Sequence, residues 1–295
     1  SDITLETARQ LRHKIFICYF RDAKKLRKRM TFTGVDQLAE KVYNKLSATI
    51  FNTKGRRYQS AQEIVNDLEA IKKYVDKHHQ GLFLEDVNDF IVKVKLFGFH
   101  FTNMDIRQDS RIHGQVIDEV FQAALDGKLG DTIQGKIPKN YSTLSEKKQI
   151  DVLTQLEGNI DPELFETEIV RETLKSFYVM KTIQNENGEV GCHRYIISNT
   201  QSSKNMMEVY ALSRICGWKK EEMTFDIVPL LETVEDLDNG EEILGSLYDH
   251  DVYGAHLKAR NKRQYVMLGF SDGTKDGGYL KANWSIFTAK ENLSQ

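Results

Sequence analysis

Apolar positions in the first part of the chain recur at the spacing of an α-helix. After Ser60, apolar side chains follow at steps of three and four and predict one buried stripe: Ala61, Ile64, Val65, Leu68, Ile71 and Val75. Ser60 and Glu63 form a capping-box pattern, in which each side chain accepts a hydrogen bond from the backbone amide of the other residue. We therefore predict that residues 1 to about 90 form a helical segment.

From about residue 91 the pattern changes to short runs rich in β-branched and aromatic residues, separated by helical stretches. These runs cover residues 102–106, 195–198, 225–230 and 265–269. Strands that alternate with helices form parallel sheets. We predict a predominantly helical α/β fold, in which residues 91–295 form part of a parallel β/α barrel of the TIM type. A helical insertion at about residues 110–190 separates the first two strands. Four β–α units are too few to close an eight-stranded barrel.

Composition and charge exclude several classes of partner. The formal net charge is −2 and no apolar run is long enough to cross a bilayer, so we expect neither a nucleic acid nor a membrane partner. The basic run at residues 21–29 lacks interleaved aromatic residues and is typical of a solvated helix face. Cys18, Cys192 and Cys216 are odd in number and widely spaced, which favours reduced thiols and a cytoplasmic location. The chain begins at Ser1 without a Met, as expected of a piece excised from a longer protein.

Two carboxylates follow neighbouring predicted strands. Glu232 comes after the third strand and Asp272 after the fourth. In a β/α barrel, polar groups at the carboxyl ends of the strands face the active-site mouth. Two such carboxylates suit a hard divalent cation such as Mg²⁺, which takes one or two carboxylates together with water and substrate oxygens. The alternative is that Glu232 or Asp272 only caps the helix that follows it.

Positive groups lie near the same strand ends. Arg107, at the end of the first strand, has a planar guanidinium that suits phosphate or carboxylate, and its alternative role is an ion pair with Asp105 or Asp109. Residues 269–278 hold four glycines and are predicted to form a loop before a helix, and the backbone amides of such a loop can approach an anion closely. Lys275 adds a charge to this stretch, or is an ordinary surface lysine. His100 and His113 flank the first strand without a neighbouring nucleophile, which favours structural roles.

Four motifs, in order, resemble those of the phosphoenolpyruvate carboxylase family. Phe97-Gly98 with residues 105–110, DIRQDS, and His113 is similar to the family's FG…DIRQ(E/D)S…H. Residues 196–198, IIS, and the serines at 202 and 203 loosely match its ISM…S segment. Residues 228–237, VPLLETVEDL, resemble VPLFETLxDL, and residues 265–278, YVMLGFSDGTKDGG, resemble VMIGYSDSxKDAG.

The resemblance implies a carboxy-lyase that adds bicarbonate to phosphoenolpyruvate, giving oxaloacetate and phosphate with Mg²⁺ or Mn²⁺. In this family bicarbonate attacks the phosphoryl group to give carboxyphosphate and an enolate, and the enolate carbon then attacks the CO₂ released. By position, Glu232 and Asp272 match the metal ligands, Arg107 matches the arginine that holds the substrate phosphate, and Lys275 matches a catalytic lysine beside the metal-binding aspartate. The family implies a homotetramer of helix-decorated β/α barrels.

Departures from the family pattern suggest a divergent member. Phe270 replaces the usual Tyr, Gly273-Thr274 replaces Ser-x, and Arg111 stands one place early. Asn199 and Thr200 replace more usual residues in the second motif, so we assign it no function. The family's TAHPTE-like histidine motif and its GRGG loop do not occur in these 295 residues, so we expect this central piece to be inactive by itself. Two alternatives stay open: another Mg²⁺-dependent barrel enzyme of phosphoenolpyruvate or pyruvate chemistry, or a non-catalytic carboxylase-like scaffold module.

Overall fold

The computed structural model describes residues 2–134 and 136–294, which form two compact units. One unit is helical and comprises Asp2–Met104 together with Thr182–Cys192. The other contains the sheet and comprises Asp105–Lys181 and the residues from His193 onward.

The helical unit is built on four long helices that share one apolar core. They are α1 (Asp2–Arg29), α2 (Val35–Phe51), α3 (Ala61–His79) and α4 (Leu84–Phe97). The cap of α3 is as predicted, because Ser60 accepts from the amide of Glu63. The stripe of α3 is buried at five of its six predicted positions: Ile64, Val65, Leu68, Ile71 and Val75. Within the basic run of α1, Lys25 and Arg29 both pair with Asp86 of α4, so part of this charge is neutralised inside the unit.

The second unit is organised around a four-stranded parallel sheet. Its strands are β1 (Asp105–Asp109), β4 (Arg194–Ser198), β5 (Asp226–Leu231) and β6 (Met267–Leu268), arranged in the order β1-β4-β5-β6. Its helices are α5 (Ser110–Leu125), α6 (Glu146–Leu153), α7 (Glu168–Asn187), α8 (Ser203–Ile215), α9 (Val234–Tyr248), α10 (Asp251–Ala259) and α11 (Phe270–Leu293). The last residues of α7 belong to the helical unit.

A long excursion separates β1 from β4 along the chain. It contains α5, α6 and α7 together with a small antiparallel pair, β2 (Ile133–Gln134) and β3 (Glu157–Gly158). Because β1 and β4 are direct parallel neighbours in the sheet, everything between them along the chain belongs to one strand-to-strand crossover. This crossover therefore lengthens the chain without widening the sheet.

The two faces of the sheet have different surroundings. Tyr195, Ile197 and Ile227 are buried, and Tyr195 stacks on Phe177 of α7 with ring centroids 5.0 Å apart. The opposite face carries a small apolar cluster of Ile196, Val228 and Leu230. Strand register puts Arg107 beside Ile196, and hence on the face of this cluster.

The α/β class, the predominance of helix and the parallel arrangement of strands agree with the sequence prediction. The described residues contribute four strands to an open sheet, with β1 and β6 at its edges. That this sheet is part of a closed barrel stays a prediction. No helix in the described part of the chain combines the length and the apolar character needed to cross a membrane.

Candidate functional site at the carboxyl edge of the sheet

Arg107 and Glu232 meet at the carboxyl edge of the sheet. Nη2 of Arg107 lies 3.5 Å from Oε1 of Glu232. Arg107 is the middle residue of β1, and Glu232 follows the last residue of β5. Because β4 lies between these strands, the arginine side chain spans one strand to reach the carboxylate. Among the described residues, Arg107 forms its ion pair with Glu232. The alternative role, an ion pair with its strand neighbour Asp105 or Asp109, is therefore not observed there.

The other oxygen of Glu232 is held by the backbone. Oε2 accepts a hydrogen bond from the amide of Asn199, at 2.7 Å. Asn199 is the first residue after β4 and has a left-handed backbone, with φ of 54°. Glu232 is 19% exposed, so its carboxylate is fixed by two neighbours while it still reaches solvent.

Helix capping does not explain Glu232. The N-cap of α9 is Thr233, whose side chain accepts from the amide of Asp236, and the buried Asp236 completes a capping box. Oδ2 of Asp236 also accepts from the amide of Glu232, at 3.2 Å. The backbone of Glu232 is therefore secured by the helix cap, which leaves its carboxylate directed toward Arg107 and Asn199.

The glycine-rich stretch after β6 packs against the segment after β5. The amide of Gly269 donates to the carbonyl of Leu231, at 2.7 Å, and a Cβ at Gly269 would lie 3.1 Å from Cα of Glu232. Oδ2 of Asp276 accepts from the amide of Val234, at 3.0 Å. A Cβ at this distance would be unusually tight, so the close approach favours glycine at position 269. Two adjoining segments thus carry Glu232 and Asp272 at the same edge of the sheet.

Most of the glycine-rich stretch is helical rather than a loop. Helix α11 begins at Phe270, and its path breaks at Gly278, whose φ is 77°. Asp272 consequently lies in the first turn of α11, where the helix dipole favours a negative charge. Lys275 is one turn later and donates to Asp272 at 2.9 Å, and both side chains are more than half exposed. The positive charge of Lys275 is therefore directed at the carboxylate of Asp272.

The donor set fits a divalent cation bound with few protein ligands. Among the described residues, no group of three or more His, Cys, Asp or Glu side chains is arranged to hold a metal. Mg²⁺ is commonly bound by one or two carboxylates, with water and substrate oxygens completing six positions. Glu232 and Asp272 are two carboxylates at the same edge of the sheet, and their side chains are 19% and 52% exposed.

Two further groups beside β1 have structural partners. Arg111 pairs with Asp109 at 2.7 Å, and this hydrogen bond lowers the pKa of the Asp109 carboxyl. His113 is fully buried and lies 2.9 Å from the hydroxyl of Tyr195. Burial lowers the pKa of His113 to about 3, so the ring is neutral near pH 7. These contacts support the structural role that the sequence favoured for His113.

Ser110 and Asn199 are the site residues that sequence reasoning missed. Oγ of Ser110 donates to the carbonyl of Asn199 at 2.6 Å, and Nδ2 of Asn199 donates back to Oγ of Ser110 at 3.2 Å. The one sequence signal was the asparagine itself, since Asn tolerates the left-handed region better than other residues with a side chain. Its meaning depends on a neighbouring strand that the sequence does not reveal.

A family model described as phosphoenolpyruvate carboxylase matches residues 5–295. The chain belongs to the phosphoenolpyruvate carboxylase family. This confirms the resemblance found in the four motifs and extends it through the N-terminal helices, where the motifs gave little signal.

Relatives named phosphoenolpyruvate carboxylase come from several organisms. The protein of Prochlorococcus marinus subsp. pastoris is 34% identical over 252 residues, which cover 80% of this chain and 24% of that protein. The protein of Gloeobacter violaceus is 31% identical over 245 residues, which cover 81% of this chain and 25% of that protein. The protein of Corynebacterium diphtheriae is 33% identical over 252 residues, which cover 82% of this chain and 27% of that protein. The chain thus spans about a quarter of the length of the phosphoenolpyruvate carboxylases it matches.

Proposed function

We propose that this chain is the central part of a phosphoenolpyruvate carboxylase, a carboxy-lyase that converts phosphoenolpyruvate and bicarbonate to oxaloacetate and phosphate. The observation that carries the proposal is the convergence of Arg107 and Glu232 at the carboxyl edge of a parallel sheet, with Asp272 in the adjoining segment. Membership of the family and relatives with that name support the same reaction.

In the proposed site, the carboxylates bind the metal ion, and the positively charged side chains bind the substrate and stabilise its negative charge. Glu232 and Asp272 hold Mg²⁺ or Mn²⁺, which when bound supplies positive charge next to phosphoryl and enolate oxygens. Arg107 binds the phosphate of phosphoenolpyruvate through its paired N–H donors. Lys275, one helical turn from Asp272, adds a second positive charge as negative charge develops on the substrate. Fixed charges of this kind stabilise a transition state without having to reorganise during the reaction.

We further propose that the four strands belong to a larger β/α barrel of a homotetrameric enzyme. Among the described residues, edge strand β6 pairs only with β5, and the adjacent helix α11 carries Leu280 and Trp284, which are 82% and 64% exposed. Such an apolar stripe beside an open edge supports a further β–α unit packed there in the longer protein. We place the enzyme in the cytoplasm on the odd number and wide spacing of its cysteines.

The test combines metal binding and turnover in the complete protein that contains this chain. Mn²⁺ binding is followed by electron paramagnetic resonance, and oxaloacetate is followed by coupled reduction to malate. We expect Glu232→Gln to lose both signals. The matched control is Glu235→Gln, an exposed carboxylate in the first turn of α9, which should keep both. Metal binding without oxaloacetate formation in the wild type would favour a scaffold module instead, and full activity of Glu232→Gln would remove Glu232 from the site.

A further inference from the structure

Glu232 has two oxygens with partners of different kinds. Oε1 faces the guanidinium of Arg107, which is 53% exposed, while Oε2 is bound by the backbone amide of Asn199 at 2.7 Å. A side chain can exchange one partner for another by changing rotamer, whereas an amide moves only with the main chain. The contact with the Asn199 amide therefore fixes where the carboxylate lies. The position of the carboxylate thus depends on the backbone conformation that directs this amide.

The direction of the Asn199 amide is set by an unusual backbone conformation. Its φ of 54° lies in the left-handed region, which disfavours residues with a Cβ by about 1–2 kcal/mol. Asn bears this conformation best among residues with a side chain. The left-handed residue turns the chain immediately after β4 ends at Ser198, and so directs its N–H across to the end of β5.

Ser110, which directly follows the neighbouring strand β1, holds Asn199 in that conformation. The serine hydroxyl donates to the Asn199 backbone carbonyl at 2.6 Å and accepts from the Asn199 side-chain amide at 3.2 Å. It therefore binds both the backbone and the side chain of this residue. Ser110 is the first residue of α5, directly after β1, and is only 4% exposed. Its rotamer is thus confined by packing, and the two hydrogen bonds that it forms with Asn199 are partly buried.

Thr200, the residue after Asn199, also stabilises the turn through hydrogen bonds. Thr200 is fully buried, its hydroxyl donates to the carbonyl of Ile197 at 2.9 Å, and its amide donates to the carbonyl of Leu230 at 3.4 Å. The turn after β4 is therefore tied to β1 through Ser110 and to β5 through Leu230. Three strands of the sheet contribute to the position of one carboxylate.

We propose that Ser110 and Asn199 are positioning residues that fix the Glu232 carboxylate for a divalent cation. The proposal rests on the metal role of Glu232 proposed above and adds the device that orients it. With Oε2 bound by the Asn199 amide, Oε1 would be the oxygen free to exchange the Arg107 guanidinium for a cation. Groups that orient a metal ligand in this way commonly change metal affinity by 10- to 100-fold when removed.

The experiment measures Mn²⁺ affinity in the complete protein for variants at both positions. Ser110→Ala removes both hydrogen bonds to Asn199 and is expected to weaken Mn²⁺ binding about 10-fold or more. Asn199→Ala loses the side-chain link and strains the left-handed backbone, with the same expected result. Ser110→Thr keeps the hydroxyl and should restore affinity to within about threefold of the wild type. The matched control is Ser198→Ala, a serine at the end of β4 whose hydroxyl donates to the Gln108 carbonyl at 3.4 Å and not to the pair.

The outcomes separate this inference from the proposed function. If Glu232→Gln loses Mn²⁺ but Ser110→Ala and Asn199→Ala bind as the wild type does, the positioning role is wrong and the metal role stands. If Glu232→Gln binds Mn²⁺ normally, both fail. Thermal unfolding accompanies each variant, since a positioning role requires lost affinity in a folded protein. Should Ser110→Ala not fold, Asn199→Gly tests the role of Asn199 by itself, because glycine adopts the same φ without strain, loses the side-chain hydrogen bond to Ser110 and keeps the carbonyl that accepts from the Ser110 hydroxyl. Wild-type affinity in that variant would overturn the role of the Asn199 side chain.

Discussion

The guanidinium of Arg107 lies 3.5 Å from the carboxylate of Glu232, although the two residues are 125 positions apart in the chain. The pair joins β1 to the end of β5 across the intervening strand. Arg107 is 53% exposed, so its guanidinium can turn from the carboxylate toward a ligand at low cost, because water screens the pair. The same contact makes the arginine a competitor for any cation that binds Glu232.

Replacing Arg107 should separate substrate binding from metal binding. In the complete protein, Arg107→Ala is expected to weaken the use of phosphoenolpyruvate by one to two decades, since a charge-assisted contact contributes about 1.5–3 kcal/mol. Mn²⁺ affinity should stay the same or increase, because Oε1 of Glu232 loses a competing partner. Steady-state kinetics and a Mn²⁺ titration measure the two effects. Arg111→Ala is the control, since Arg111 is paired with Asp109 and 78% exposed; an equal loss in both variants would count against the assignment.

The second carboxylate should affect metal binding with little change in stability. Asp272→Asn keeps the size of the side chain and removes its charge, and we expect Mn²⁺ affinity to fall at least 10-fold. Asp272 is half exposed and, among the described residues, pairs with the exposed Lys275, so the unfolding midpoint should move little. Asp238→Asn, which removes a similarly exposed carboxylate paired with Lys281, should leave Mn²⁺ binding intact. Normal affinity in Asp272→Asn would leave Glu232 as a lone ligand and refute the two-carboxylate site.

Gly269 is the position where a single methyl group should disturb the site. In Gly269→Ala the added Cβ would lie 3.1 Å from Cα of Glu232 and from the carbonyl oxygen of Leu231, and neither backbone atom can rotate away. Overpacking of this kind typically costs about 1–3 kcal/mol, and here it should also displace Glu232 and reduce Mn²⁺ affinity. Urea unfolding and the Mn²⁺ titration check both. Gly245→Ala on α9 is the control, because its Cβ would meet nothing within 4 Å; it should stabilise the helix by about 0.5–1 kcal/mol.

Two buried histidines should make the sheet unit lose stability in mild acid. Burial lowers the pKa of His113 to about 3 and that of His256 to about 4, against an ordinary value of 6.5. Between pH 7 and pH 5 the unfolded chain therefore takes up protons that the folded chain does not. Each histidine should then reduce the free energy of unfolding by about 2 kcal/mol over this range. The contribution is complete above pH 6.5 and is lost as the pH falls toward the folded pKa.

The measurement is the difference in pH dependence between the wild type and His113→Gln. Buried Glu208 contributes with opposite sign, because burial raises the pKa of its carboxyl, but this contribution is common to both proteins. The variant is expected to be less stable at pH 7 and to have a shallower slope between pH 7 and pH 5. His256→Gln provides an independent repeat of the comparison. Identical slopes in all three proteins would show that these histidines do not titrate on unfolding as described.

The 295-residue chain by itself should produce no oxaloacetate. It contains neither a TAHPTE-like histidine motif nor a GRGG loop, both of which the family resemblance associates with catalysis. A coupled assay with Mg²⁺, phosphoenolpyruvate and bicarbonate tests this, with the complete protein as positive control. Metal-dependent turnover by the isolated chain would mean that its own residues suffice, and the role given to the missing motifs would be wrong.

Local sequence predicted the limits of the interior strands better than those of the edge strand β1. The run at residues 195–198 corresponds to β4, Arg194–Ser198, because consecutive β-branched and aromatic residues favour a buried strand. The first strand was predicted at residues 102–106 but is β1, Asp105–Asp109. This strand reads Asp-Ile-Arg-Gln-Asp, so it has no apolar pattern to mark its limits. Pairing with β4 determines where it begins and ends.

Residues 269–278 show the limit of reading glycines as loop signals. The four glycines predicted a loop, yet α11 begins at Phe270 and includes Gly273 and Gly277. Gly277 would place a Cβ 2.7 Å from Val234, so the glycines permit close packing between two neighbouring segments. The sequence cannot distinguish a glycine that bends the chain from one that lets another segment approach, because the difference lies in a partner that is distant in sequence.

The sequence by itself determined which residues have the chemistry for this site. Glu232, Asp272 and Arg107 follow or lie in strands, and because the ends of parallel strands share one edge, their approximate location could be predicted from the alternation of strands and helices. Only the tertiary structure decided how they are held. The Arg107 pairing, the left-handed turn at Asn199 and the hydroxyl of Ser110 depend on β1, β4 and β5 lying side by side. Strand order arises from packing of the whole sheet unit, and no local pattern of residues contains it.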